Sequence, residues 1–234
     1  MSAATVKSVY CSGVRDGLPF VFIVIPFAML FGVVATEAGL TVAQGMGFTV
    51  LVIAGAAQFA ALQMMVDNAA ITFILLAALA VNLRMAMYSA SLVPYMGAAP
   101  LWQRALAAYF LFDQPYIVSI AKFEIAKMTV PERMAYYFGT ATAVAPLWIG
   151  MTYVGLVVGA SIPPEYALDF ALPIAFIGMV APMLRTLAHV AAALTSIAVS
   201  LLFAWLPSGS GLLVAAGCAM VMGVVVETWM ERRT

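Results

Sequence analysis

Stretch after stretch of this chain is apolar on every side, which restricts it to a membrane. The run from Ala69 to Leu92 reads AAITFILLAALAVNLRMAMYSASL. A helix of a soluble domain hides one stripe and shows water the rest; here neither face is polar. Eight such segments follow one another, at 17–36, 46–66, 69–92, 104–122, 135–160, 166–184, 186–206 and 211–229. Most approach the ~20 residues that a helix needs to cross a hydrocarbon core. The expected fold is all-α: a polytopic integral membrane bundle of seven to eight segments, with 1–234 as one transmembrane domain.

Composition narrows the function. The chain is 65% hydrophobic and 9% charged, with no net charge, against ~25% charged residues in a soluble domain. No nucleic-acid footprint is present. Almost nothing is left outside the bilayer for a nucleotide-hydrolysing domain, and no G-x-x-x-x-G-K-[ST] occurs. Cys11, Cys218 and the one histidine, His189, lack metal-ligand spacing, so neither metal nor cofactor is expected. The methionines suit adaptable packing.

Cations cluster at Lys7/Arg15, Lys122/Lys127/Arg133, Arg185 with His189, and Arg232/Arg233. If all eight segments cross, these fall on one side, and the positive-inside rule puts both termini in the cytoplasm. A re-entrant hairpin would change the count. Segment 104–122 is the first candidate, being short and broken by Asp113-Gln114-Pro115. Pro26, Pro115, Pro146, Pro173 and Pro182 lie inside apolar runs, where each removes a backbone donor and predicts a kink or break. Ile53–Ala57 aligns with Phe176–Val180 at an offset of 123 residues, and Gly32 with Gly155 at the same offset. This suggests an internal two-fold repeat with halves 15–125 and 135–230. Transporters with such halves bind substrate between them at interrupted helices.

The polar groups at membrane depth are few. A guanidinium stays charged, and holding one in lipid costs roughly 3 to 17 kcal/mol depending on the scale. Arg84 must therefore find an anion, carbonyls or water. Tyr88 lies at i+4 and Ser91 three residues further, a polar stripe on a greasy helix; Asn82, two residues before Arg84, points elsewhere. Asp113 is the one acid deep inside a segment. It either pairs with Arg84 or carries a proton, since burial and a nearby cation push its proton affinity in opposite directions. Gln58 follows the small residues Gly55-Ala56-Ala57, which permit close helix approach around a hydrogen-bonding group. Asp16, before Leu18-Pro19, is expected to cap the first span. Tyr10, Trp102, Tyr136, Tyr137, Tyr166, Trp205 and Trp229 suit interfacial anchoring.

At these positions the chain resembles the AzlC family of bacterial inner-membrane permeases. The D-x-L-P element stands as Asp16-Gly17-Leu18-Pro19, followed by Pro26 and Phe31-Gly32. The G-A-[SA]-Q-F element reads Gly55-Ala56-Ala57-Gln58-Phe59. The N-x-R-x-x-x-Y-[SG]-x-S-L element reads Asn82-Leu83-Arg84 and Tyr88-Ser89-Ala90-Ser91-Leu92. Together these cover roughly residues 15–115. Where the family commonly carries T-D-E, this chain has Phe112-Asp113-Gln114, so a coupling role for the acidic pair rests on Asp113 alone.

The resemblance implies a secondary transporter exporting branched-chain or similar hydrophobic amino acids, working with a small AzlD-type membrane subunit of about four spans. A zwitterionic substrate needs a binder for each charge and an apolar pocket. Arg84 or an exposed helix N-terminus suits the carboxylate. Asp113, with carbonyls freed near Pro115, suits the ammonium. Gln58, Asn82 and Tyr88 add polar contacts, and Phe59 and Met64 line the rest. Two rival readings stay open: an uncoupled channel or facilitator for a small solute, and a non-transporting scaffold whose Arg84–Asp113 pair is structural. No nucleophile–base pair stands at membrane depth, so an enzyme is not expected.

Overall fold

A computed structural model of the chain describes residues 3–161, 177, 184–206 and 210–232. Among these the structure is helical, without strands. The elements are α1 (Ala3–Gly17), a 3-10 turn (Leu18–Phe20), α2 (Val21–Glu37), α3 (Val42–Leu51), α4 (Gly55–Val66), α5 (Ile71–Met96), α6 (Leu101–Tyr109), α7 (Asp113–Ile125), α8 (Val130–Gly159), α9 (Leu187–Leu202) and α10 (Ser210–Glu231).

Four of the eight apolar segments yield helices long and apolar enough to cross a membrane, at Val6–Glu37, Ile71–Met96, Val130–Gly159 and Val214–Glu231. Segment 186–206 yields the shorter α9. Segments 46–66 and 104–122 are each broken into two short helices, at 52–54 and 110–112. Segment 166–184, Pro173, Pro182 and, apart from Ile177, the proposed repeat partner Phe176–Val180 lie outside the described residues. Pro26 and Pro146 sit inside unbroken helices. Pro115 stands in the first turn of α7, where a missing N–H costs nothing.

The chain divides into two compact units. One is Met1–Gln58 with Ala80–Tyr166; the other is Phe59–Leu79 with Ala167–Thr234. In the second, α9 and α10 pack antiparallel, with Gly211 against the Phe203 carbonyl and Gly223 against Ala192.

The first unit is built on two long helices side by side. Gly13 lies against Tyr136, Gly17 against Thr140, Gly32 against Gly155 and Gly159 against Val33. Both numbers rise together, so α1–α2 and α8 run parallel. With no side chain between them, the backbones touch, the usual way membrane helices gain packing where lipid offers no hydrophobic drive. Gly32 and Gly155, aligned in the sequence, are thus a packing contact. Thr36 Oγ1 adds a hydrogen bond to Leu156 O at 3.2 Å. Asp16 does not cap a helix, since α1 runs through it to Gly17; its Oδ2 accepts from the Tyr136 hydroxyl at 2.6 Å.

Two short helical hairpins lean on α8 from opposite ends. Gly39, at φ +85, closes α2: Leu40 N–H reaches Ala35 O at 3.0 Å and Gly39 N–H reaches Thr36 O, the Schellman arrangement. A capping box of Thr41 and Gln44 then starts α3. This helix heads inward along α8, with Gly45 at Leu156 and Thr49 at Thr152, and Gly55 at the start of α4 lies at Trp148. Thr49, three residues before the break, meets Gln58, four residues after it, so the chain doubles back there. From the other end, Met96 packs with Met134 and Tyr136 at the start of α8, and α6 begins five residues later. α7 returns beside α5, with Asp113 at Tyr88, Tyr116 at Ser91 and Phe123 at Tyr95. Short helices of 10, 9 and 13 residues (α3, α6, α7) rise only about 14 to 20 Å, part of a ~30 Å core. The expected interruption of segment 104–122 is found at 110–112, and segment 46–66 is interrupted as well, at 52–54.

Candidate functional site

Where the two hairpin tips meet, backbone groups lose their helical partners, and side chains replace them. The Tyr109 hydroxyl donates to Val50 O of the α3 end at 2.6 Å, linking the tips directly. Tyr137, fully buried, donates to Ala107 O and Phe110 O of the α6 end, both at 2.9 Å. Tyr136 and Tyr137 are therefore internal groups and not the expected interfacial anchors. Irregular backbone at such depth survives where protein surrounds it, and these hydroxyls satisfy the orphan carbonyls of the last helical turn.

Asp113 is the first residue of α7, so its carboxylate sits at the positive end of that helix. Arg84 Nη1 lies 3.2 Å from Asp113 Oδ2, with the side chains 25% and 33% exposed. Tyr88 donates to the other carboxylate oxygen at 3.0 Å. Its ring stacks on Tyr116, centroids 3.9 Å apart, and Tyr116 donates to Ser91 at 3.2 Å. The polar stripe of α5 thus docks whole onto the first turns of α7. Arg84 Nε and Asn82 Oδ1 are buried without a hydrogen-bond partner among the described residues, so the group retains unused donor and acceptor capacity.

Gln58 belongs to a second, drier cluster. Its Nε2 donates to Thr49 Oγ1 at 3.1 Å. Trp148 Nε1 donates to the same oxygen at 3.0 Å, and Thr152 Oγ1 stands 3.4 Å away. Gln58, Thr49 and Thr152 are all fully buried. A side chain on Gly55 would collide with Trp148 and Phe27, and those two rings pack at 5.8 Å. Ile53, Met85 and Phe112 pack with Trp148 in one apolar cluster, so both helix breaks and the Arg84 helix share it. Phe59 and Met64 are buried members of the second unit.

Thr49, Tyr109, Trp148 and Thr152 escaped the sequence reading, and Tyr137 entered it only as an interfacial anchor. One signal was available: Trp148 lies in mid-segment, where an indole N–H needs an acceptor. We predict that Thr49→Val, which keeps shape but strands two buried donors, lowers stability by about 3 kcal/mol. Thr152→Val is expected to cost less than half of that, and thermal unfolding in detergent checks the order.

The fold defines a class first: a helical membrane protein whose polar groups gather at two interrupted helices. The AzlC protein family model matches residues 19–162, more than half of the chain, and the chain belongs to that family. Inner membrane protein YgaZ of Escherichia coli (strain K12) is 27% identical over 181 residues, covering 73% of this chain and 71% of the relative. An "uncharacterized membrane protein" of Archaeoglobus fulgidus is 26% identical over 237 residues, covering 98% of this chain and 99% of the relative. No solved structure matches the chain. Family and relatives together support a role in membrane transport.

Proposed function

We propose that the chain is a secondary transporter that exports branched-chain or similar hydrophobic amino acids across the bacterial inner membrane, coupled to protons and assisted by a small AzlD-type membrane subunit. The observation that carries this reading is the Arg84–Asp113 pair at the first turn of a broken helix. Discontinuous helices offer bare N–H groups and carbonyls to opposite substrate charges at one place. The ion pair supplies the switch. A proton on Asp113 removes the charge that holds Arg84, and the freed guanidinium takes the substrate carboxylate in a two-pronged grip. Loss of the proton lets the pair re-form and expels the carboxylate. Tyr88 and Tyr116 keep the carboxyl in place through both states.

The charge clusters support an orientation with both termini in the cytoplasm. Lys122 stands 5.8 Å from the Tyr136 ring, and Arg133 stacks at 5.1 Å on Tyr95. These cations share one end of the first unit with Asp16, which supports that orientation for the first unit's cations. Exposed apolar side chains such as Leu79, Leu83 and Met87 on α5 suit lipid or a small membrane partner.

The test is flux of labelled leucine, isoleucine and valine in vesicles, with and without the partner and with the proton gradient collapsed. For Asp113→Asn, the expected result is that leucine–leucine exchange persists while gradient-driven net flux falls at least ~100-fold, because an amide cannot carry the coupling proton. Wild-type flux indifferent to the gradient would favour an uncoupled facilitator. No flux of any of the three, with the pair in the membrane, would defeat the substrate assignment.

A further inference from the structure

The coupling scheme leaves one charge of the substrate without a partner. An Asp113 that has taken a proton to free Arg84 is no longer an anion for the ammonium group. The acceptor must lie elsewhere, and the α3–α4 break holds one.

Gln58 is fully buried, and its Oε1 has no hydrogen-bond partner among the described residues. The other end of the same amide reaches across the break to Thr49, so the oxygen lies an amide's width from the last turn of α3. Trp148 Nε1 can only donate, so Thr49 Oγ1 accepts from it. That hydroxyl also accepts from Gln58 Nε2, leaving its own proton for Thr152 at 3.4 Å. Gln58 therefore presents an acceptor to a place from which no donor in the described protein comes. A buried acceptor left bare destabilises the fold, and such groups persist where function needs them.

The backbone adds charge of the right sign. The last turn of α3 ends at the break, and a helix C-terminus carries about half a negative charge. Val52 N–H and the Tyr109 hydroxyl take two of its carbonyls, so the end is ordered. No carboxylate is needed: an ammonium group seeks several oxygens, and an amide oxygen beside helix-terminal carbonyls supplies them.

We infer that Gln58 Oε1, with the carbonyl end of α3, binds the α-ammonium group of the substrate and makes the protein selective for amino acids over acids that lack it. This rests on the transport reading above and deepens it: Arg84 reads the carboxylate, Gln58 the ammonium, and Asp113 is left to the proton. Since Gly55 is closed against Phe27 and Trp148, the tips must part for substrate to enter, and the Tyr109–Val50 bond is the contact that opens.

The test compares leucine with 2-hydroxy-4-methylpentanoate, the same acid carrying a hydroxyl in place of the ammonium, using the full chain in nanodiscs. Wild type is expected to bind leucine at least ~10-fold more tightly, since a hydroxyl offers one proton and no charge where the ammonium offers three protons and a positive charge. Gln58→Met, of similar length but without the oxygen, should lose that preference by weakening leucine far more than the hydroxy acid. Gln58→Glu should keep the preference. A wild-type ratio in Gln58→Met, or equal wild-type binding of both compounds, overturns the inference and leaves amino-acid transport standing. If Gln58→Met binds neither compound, Gln58→Glu decides: a retained preference supports the assignment and an equalised one overturns it. Absence of leucine binding by wild type removes the transport reading and this inference with it.

Discussion

A protein in which Arg84 and Asp113 exchange places is expected to fold and insert but to export no leucine. Each single change leaves an unmatched charge in the apolar cluster beside Met85 and Phe112, and breaking a buried or half-buried pair costs far more than the pair is worth intact. Arg84→Asp and Asp113→Arg should therefore both be unstable as well as inactive. The double exchange restores opposite charges at the same two positions and should recover most of the lost stability. It falls short by about 1 kcal/mol, because a cation now faces the positive start of α7. Function does not recover with it. An acid at 84 offers the substrate carboxylate nothing, and an arginine at 113 never releases its proton. Export should stay at least ~100-fold below wild type, equivalent to about 2.7 kcal/mol of lost transition-state stabilisation. Melting temperature and efflux, measured on the same four proteins, separate the two roles. Export returning with stability in the double exchange would make the pair a strut, and the scaffold reading would then hold.

How much of this was legible depended on whether one residue could state its need alone. Arg84 could: a guanidinium in apolar sequence demands an anion, and Asp113 is the acid it meets. Tyr88 and Ser91 followed from helical spacing, although Ser91 serves Tyr116 and not Arg84. The break before Asp113 was marked by Asp-Gln-Pro. The break at 52–54 was not marked at all. Val52-Ile53-Ala54 reads as any membrane helix, and what accompanies the break there is tertiary: Gly55 wedged against Trp148 and Phe27. Local preference yields to packing in such places. Asp16 shows the reverse error. Its motif looks like a helix start, but the helix had begun at Ala3, and the carboxylate instead binds a tyrosine 120 residues away. The partners of Gln58 were hidden for the same reason, since Thr49 and Trp148 meet it only after two helices have folded onto α8.

The parallel contact of α1–α2 with α8 carries the second large effect. A Cβ built at Gly155 falls on the carbonyl of Met29, with Met29 C at 2.8 Å and Cα at 2.9 Å. These are backbone atoms of a helix and cannot turn aside as a side chain would. Gly32 stands in the reciprocal position, its Cβ falling on Thr152 O, and Gly13 and Gly139 repeat the arrangement with Tyr136 and Tyr10. One methyl group at Gly155 must therefore push two rigid helices apart, and the loss of contact spreads to Gly32 and Gly159. We predict that Gly155→Ala destabilises the protein by about 3 kcal/mol, near the top of the range for overpacking. Gly150→Ala is the internal control: it lies on the same helix with nothing within 4 Å of the added atom, and should stabilise by about 0.5 to 1 kcal/mol through helix propensity alone. Transport should fall as well, because α8 carries Tyr137 and Trp148, which order the two hairpin tips. Equal unfolding temperatures for Gly155→Ala and Gly150→Ala would mean that the backbones do not touch. The frame that carries the Arg84–Asp113 pair and the Gln58 cluster would then have to be drawn differently.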